Sequence, residues 1–111
     1  ERLLQYNKEA DIYIQVGWKP EGTSISQLYA MAFGAPSILP GGGGLEWQAQ
    51  KTAIYVRNGD HDDLARAIEK LSGDYDLRAE ISKNCYRRIK ENLMDYRKQI
   101  PIWNNKLKSL I

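Results

Sequence analysis

Short apolar runs alternate with segments of helical periodicity along most of the chain. Three runs rich in β-branched and aromatic residues predict strands at residues 11–16, 37–39 and 52–56. Apolar residues that recur every three or four positions predict helices that begin at Ser24, at Asp60 and near Leu77. Strands that alternate with helices favour a parallel sheet flanked by helices, so the predicted fold class is α/β.

The predicted helix between the first two strands carries signals at both ends. Ser24 and Gln27 match a capping box, in which the first side chain accepts a hydrogen bond from the first helical turn. Gly34 predicts the end of this helix, and Pro36 prevents its continuation.

Glycine and proline also divide the later part of the chain. The glycine run at residues 41–44 predicts a loop, and residues 45–50 predict a single helical turn after it. Pro101 predicts the start of a last segment.

Composition and charge exclude several classes of protein. A net charge of +2 gives no electrostatic argument for a nucleic-acid partner, and no apolar run approaches the roughly 20 residues of a membrane span. One cysteine, Cys85, and one histidine, His61, exclude a disulfide framework and the usual kind of zinc site. The lone cysteine fits a reducing compartment, which predicts a cytoplasmic protein. Because the chain starts at Glu1 rather than Met, we expect it to be part of something longer.

A polar loop joins the first predicted strand to the first predicted helix, and it is a candidate anion site. Backbone N–H groups of Gly22, Thr23 and Ser24 would converge there with the positive end of the helix dipole. In parallel sheets, ligands bind at the carboxyl ends of the strands, where this loop lies. The alternative is that Thr23 and Ser24 only cap the helix, and the two roles are compatible.

The motifs around this loop resemble a known family. The chain reads ADIYIQV at residues 10–16, EGTS at 21–24, YAMAFGAPSI at 29–38, GGGLE at 42–46 and AIYVRNGD at 53–60. In this order and spacing, they resemble the C-terminal, donor-binding domain of retaining glycosyltransferases of the GT-B fold. The group is glycosyl transferases group 1, which includes the glycogen synthases. The resemblance implies a Rossmann-like parallel sheet, with residues 1–92 as the second half of that domain and residues 93–111 as a helical tail.

The resemblance assigns roles to particular residues. Glu21 would contact the transferred sugar, and Gly22, Thr23 and Ser24 would contact the distal phosphate. The family's second glutamate, which contacts the ribose, falls on Tyr29, which offers a hydroxyl in place of a carboxylate. Further sugar contacts are expected from the residues Trp18, Gly42 and Gly43.

The family resemblance also implies a function. The parent enzyme would transfer a hexose from a nucleotide-diphosphate sugar to a glycan or lipid-linked acceptor, with no metal and no other cofactor. Its acceptor site would lie in an N-terminal domain outside this chain, so the 111 residues alone are expected to be inactive. The alternative is a non-catalytic module of the same fold that binds a sugar or a protein.

Two surfaces suggest further partners. The later helices carry a set of basic residues, Arg87, Arg88, Lys90, Arg97, Lys98, Lys106 and Lys108. We expect a solvated helix face, with contact to acidic lipids at a membrane surface as the alternative. An unpaired sheet edge and uncovered apolar surface predict that the chain self-associates.

Overall fold

The computed structural model describes residues 11–17, 22–91 and 96–110 of the chain. Within these ranges the elements follow one another as β1 Tyr13–Ile14, α1 Ile25–Ala32, β2 Ser37–Pro40, α2 Gly43–Ala49, β3 Ala53–Val56, α3 His61–Gly73, α4 Tyr75–Lys90 and α5 Tyr96–Ser109. A short 3₁₀ turn, Gln50–Thr52, joins α2 to β3. The alternation of strands and helices is the one that the hydrophobic pattern predicts.

The three strands form a parallel sheet in the order β1-β2-β3. Tyr13 pairs with Ser37, and Ile38 pairs with Ile54. The first strand is shorter than the predicted 11–16, although Gln15 still donates to the Ile38 carbonyl at 3.0 Å. Helices flank this sheet, so the predicted α/β class is confirmed.

Helix α1 begins and ends where the sequence predicts. The Ser24 side chain accepts from the Gln27 N–H at 3.2 Å, which makes Ser24 the N-cap. After the helix, Gly34 has a φ of +77° and donates to the Met31 carbonyl, while Ala35 donates to the Ala30 carbonyl. These two bonds form a Schellman motif, which requires a left-handed residue and therefore favours glycine at this position.

The hydrophobic core is formed by the sheet together with helices α1, α2, α3 and α4. Its members with no exposed surface are Met31, Ile38, Leu39, Leu45, Ala49, Leu71 and Cys85. Burial raises the pKa of the Cys85 thiol to about 12, so the side chain stays neutral and packs as a small apolar group.

Two predictions from glycine and proline are wrong. Helix α2 begins at Gly43, inside the predicted loop, and extends over seven residues instead of one turn. The carboxylate of Glu46, in the first turn, accepts a hydrogen bond from the N–H of the N-cap residue Gly42 at 3.0 Å. Pro101 lies inside α5 instead of at its beginning. Its ring allows a helical φ but supplies no N–H, so the helix continues through it with one i→i−4 hydrogen bond fewer.

Helix α5 leaves its apolar side chains uncovered by the rest of the described structure. Those that are exposed are Ile100, Ile102, Trp103 and Leu107, and Leu110 just after the helix is exposed as well. Among the described residues, no helix has both the length and the apolarity to cross a bilayer.

Arg88 contradicts the expectation that the basic residues of the later helices form a solvated face. Its side chain is only 3% exposed, whereas Arg87 next to it is exposed. Arg88 Nε donates to the Gln48 carbonyl at 2.9 Å, and a second guanidinium nitrogen donates to the Trp47 carbonyl at 2.8 Å. The guanidinium also pairs with Glu91. These carbonyls lie at the carboxyl end of α2, so Arg88 fixes α2 against α4.

Replacement of Arg88 by leucine is predicted to destabilise the chain by about 2–4 kcal/mol, because it leaves two helix-end carbonyls without a partner. Arg87→Leu is the matched control, since Arg87 lies on the same helix and is exposed. The control is expected to change stability by less than about 0.5 kcal/mol. Urea unfolding followed by circular dichroism measures the stability of both variants. Equal losses of stability would show that Arg88 does not fix α2 against α4.

Candidate functional site

The carboxyl ends of the three parallel strands meet at one edge of the sheet, where ligands bind in folds of this kind. Helix α1 begins after β1, α2 after β2 and α3 after β3, so all three helices start at this edge. The loops that the sequence places at the strand ends therefore lie where they were predicted.

The predicted site residues lie along this edge, as far as the structure describes them. Gly22 and Thr23 are exposed in front of α1, and Ser24 is half-buried at its N-cap. Tyr29 is half-buried further along the same helix. Glu21 and Trp18 lie outside the described residues.

The glycine run and the polar loop are in direct contact. A Cβ added at Gly44 would lie 2.9 Å from the Cα and carbonyl carbon of Gly22 and from the nitrogen of Thr23. Gly42 and Gly43, which have φ values of +87° and +69°, are exposed immediately before it. Two predicted parts of the site, one from each loop, are thus brought together.

The N–H and the hydroxyl of Ser24 form hydrogen bonds to other residues of the chain. Its N–H donates to Gln48 Oε1 at 3.1 Å, and its hydroxyl donates to Gln15 Oε1 at 3.1 Å while it caps the helix. Capping is therefore shown, and a phosphate contact of Ser24 stays a prediction. Within the described part of the chain, the N–H groups of Thr23, Ile25 and Ser26 have no hydrogen-bond partner.

A buried cluster of amide side chains supports the start of α1, and the sequence did not reveal it. Gln48 Nε2 donates to the Ser24 carbonyl at 2.8 Å and to Gln27 Oε1 at 2.7 Å, and Gln27 Nε2 donates to Ser37 Oγ at 3.2 Å. In a capping box, Gln27 would bond back to the Ser24 N–H, but Gln48 takes that place. No local sequence signal could have found this cluster, because Gln48 bonds to residues 24 and 21 positions away.

Tyr55 fixes the far end of α2. Its hydroxyl donates to the Gln50 carbonyl at 2.5 Å. Burial raises the pKa of Tyr55 far above its usual value, the negative charge of Glu46 raises it further, and Arg88 lowers it in part. The phenol therefore remains a neutral donor over the physiological range of pH.

The first turn of α1 differs in charge from those of the next three helices. Its residues Ile25, Ser26 and Gln27 include no acid. By contrast, α2 has Glu46, α3 has Asp62 and Asp63, and α4 has Asp76 near the start. The positive end of the α1 dipole is thus left without compensation by the helix's own side chains.

A separate small cleft opens at the same edge on the α3 side. It has a volume of about 150 Å³, and its walls include Val16, Pro40, Val56, His61 and Leu64. Of the predicted donor-binding residues that the structure describes, none lines it. Small-molecule sites usually enclose about 300–1,000 Å³, so this cleft is not favoured as the donor site.

Metal-binding side chains are not grouped at this edge. Among the described residues, no three His, Cys, Asp or Glu side chains lie close enough together to hold a metal ion.

The comparisons with known proteins support the fold. No family model and no curated protein sequence matches the chain. A sucrose-phosphate synthase from Thermosynechococcus elongatus superimposes with a TM-score of 0.79 at 23% sequence identity, over 96% of this chain. The chain spans 27% of that synthase, so it corresponds to a part of it. The likeness confirms the predicted fold, a parallel sheet flanked by helices that matches the Rossmann-like C-terminal part of a GT-B glycosyltransferase.

Replacement of Gly44 by alanine is predicted to destabilise the chain by about 1–3 kcal/mol, because the new methyl group would overlap the backbone of Gly22 and Thr23. Gly73→Ala is the control, since nothing lies within 4 Å of a Cβ added there. The control is expected to be neutral or stabilising by up to about 1 kcal/mol. Thermal unfolding of both variants tests this, and an unchanged Gly44→Ala would show that the two loops are not in contact.

Proposed function

We propose that this chain is the donor-binding part of a retaining glycosyltransferase of the group 1, glycogen synthase-like kind. In this proposal the diphosphate of a nucleotide sugar binds at the start of α1, and the parent enzyme transfers the hexose to a glycan or lipid-linked acceptor. The observation that carries the proposal is the fold, which over 96% of the chain resembles part of a sucrose-phosphate synthase.

The chemistry of the α1 N-terminus supports a phosphate ligand. Transfer of a sugar leaves a diphosphate whose negative charge must be stabilised as the glycosidic bond to it breaks. The N–H groups of Thr23, Ile25 and Ser26 have no partner in the described structure, and the helix dipole adds to their positive potential. Hydrogen-bond donors fixed in this way stabilise the leaving group without a metal ion.

The remaining donor contacts follow from the motif. Glu21 accepts hydrogen bonds from the sugar hydroxyls, and the exposed Gly42 and Gly43 allow close approach of the sugar to the backbone. Tyr29 presents a hydroxyl at the ribose position. Because one hydroxyl replaces a carboxylate there, we propose that the phosphates contribute more to donor affinity than the ribose.

The acceptor and the other catalytic groups belong to the parts of the enzyme that this chain does not include, since it spans 27% of the synthase that it resembles. The isolated chain is therefore proposed to bind a donor weakly without transferring the sugar. Contact of the parent enzyme with a membrane surface would bring a lipid-linked acceptor to the site.

Titration of the ¹⁵N-labelled chain with UDP-, GDP- and ADP-glucose tests donor binding. Saturable shifts are expected at the amides of Thr23, Ile25 and Ser26, with the preferred nucleotide giving the lowest Kd. Glu21→Ala is expected to raise that Kd about tenfold, because charged hydrogen bonds to the sugar are lost. Glu69→Ala, an exposed acid on α3, is the control and is expected to leave the Kd unchanged.

Two outcomes would contradict the proposal. Binding of a glycan at this edge with no response to any nucleotide sugar would favour the non-catalytic module. Transfer of a hexose by the purified 111-residue chain would show that the chain itself is a complete enzyme.

A further inference from the structure

We infer that Gln48 is a positioning residue, which aims the phosphate-binding amides of α1 from the neighbouring helix. This inference rests on the proposed function, because it concerns how the same site is held in shape. Gln48 lies on α2 and does not itself face the ligand, since its side chain is 1% exposed.

The carboxamide of Gln48 pairs with both backbone groups of Ser24. Its Oε1 accepts from the Ser24 N–H at 3.1 Å, and its Nε2 donates to the Ser24 carbonyl at 2.8 Å. Two antiparallel hydrogen bonds to one residue fix the peptide planes on either side of it. Gln48 thus restrains the turn in which the capped helix begins.

The direction of one free amide follows from the planarity of the peptide bond. In a trans peptide, the carbonyl of one residue and the N–H of the next point in opposite directions. The Ser24 carbonyl accepts from Gln48 Nε2 at 2.8 Å as well as from the Leu28 N–H of its own helix at 3.2 Å, so the N–H of Ile25 points away from α2. The orientation of this donor is thereby fixed before a ligand arrives, which avoids a reorganisation cost on binding.

The backbone of Gln48 is itself held in place by Arg88. Arg88 donates to the carbonyls of Trp47 and Gln48, so the segment of α2 that carries the carboxamide is fixed to α4. A displacement of Gln48 would have to break these buried bonds. The position of the α1 amides is therefore set through α2 by a residue of α4.

Gln27 offers a matched comparison within the same cluster. It is also fully buried, but its side chain bonds only to the side chains of Gln48 and Ser37. Removal of either amide leaves buried polar groups unpaired and is expected to lower the melting temperature by about 5–10 °C. Only removal of Gln48 takes hydrogen bonds away from the backbone of Ser24, which then keeps the bond from the Leu28 N–H alone, so the two variants separate positioning from stability.

The test uses inorganic pyrophosphate as the probe, titrated into the ¹⁵N-labelled chain and its variants Gln48→Leu and Gln27→Leu. In the unmodified chain, saturable shifts are expected at Thr23, Ile25 and Ser26. Gln48→Leu is expected to raise the Kd at least about fivefold, and Gln27→Leu to change it less than about twofold. Hydrogen exchange of the Ser24 amide is expected to accelerate at least about tenfold in Gln48→Leu alone.

Any other result contradicts the positioning role of Gln48, either alone or together with the proposed function. If the unmodified chain does not bind pyrophosphate at α1, the proposed function and this inference both fail. If it binds and Gln48→Leu binds equally well despite a lower melting temperature, Gln48 is structural only and the proposed function stands. Equal weakening by Gln27→Leu also overturns the inference, because the cluster then acts through stability. Gln48→Met, with a side chain of similar length, replaces Gln48→Leu if that variant does not fold.

Discussion

The guanidinium of Arg88 lies buried against the carboxyl end of α2 and donates to the carbonyls of Trp47 and Gln48. Helix α2 has seven residues, and helices of that length are not stable alone in water. Its position therefore depends on contacts with the rest of the chain, and Arg88 makes two of the strongest, because a charged donor satisfies carbonyls that the helix end leaves free. Tyr55 adds a bond to the carbonyl of Gln50 just beyond.

This constraint reaches the carboxyl edge of the sheet through α2. The amino end of α2 contacts the loop before α1 at Gly44, where only a hydrogen atom fits, and its middle pairs with Ser24 through Gln48. A shift of α2 would therefore displace the glycine run and the start of α1 together. Thr23, Gly42 and Gly43, which are proposed to bind the donor, are exposed, but their arrangement depends on side chains that are buried beneath them. The arrangement of the proposed site therefore depends on packing against α2 and not on hydrogen bonds among its own residues.

The sequence predicted those features whose causes are local. Ser24 caps α1 through a residue three positions away, and Gly34 ends the helix through bonds within five residues. The buried roles of Gln48 and Arg88 depend on partners 24 and 40 or more positions away, which no local pattern contains. Arg88 in particular follows the exposed Arg87, so charge alone placed both on a solvated face. Of the predicted site, the loops at the strand ends could be located from the sequence, whereas the groups that hold them could not.

In the proposed function, Tyr29 stands at the ribose position where the similar family has an acid, and the charge distribution at the start of α1 bears on this difference. Acids in a first turn, such as Asp62 and Asp63 of α3, compensate the helix dipole and would repel a diphosphate. Helix α1 has none in its first turn, and none of its later residues is Asp or Glu. In the proposed function, Tyr29 at the ribose position lacks a bidentate carboxylate acceptor but leaves the potential at the amides positive. The diphosphate of the proposed donor would gain from such an end, because its charge would meet free N–H groups and no competing carboxylate on the helix.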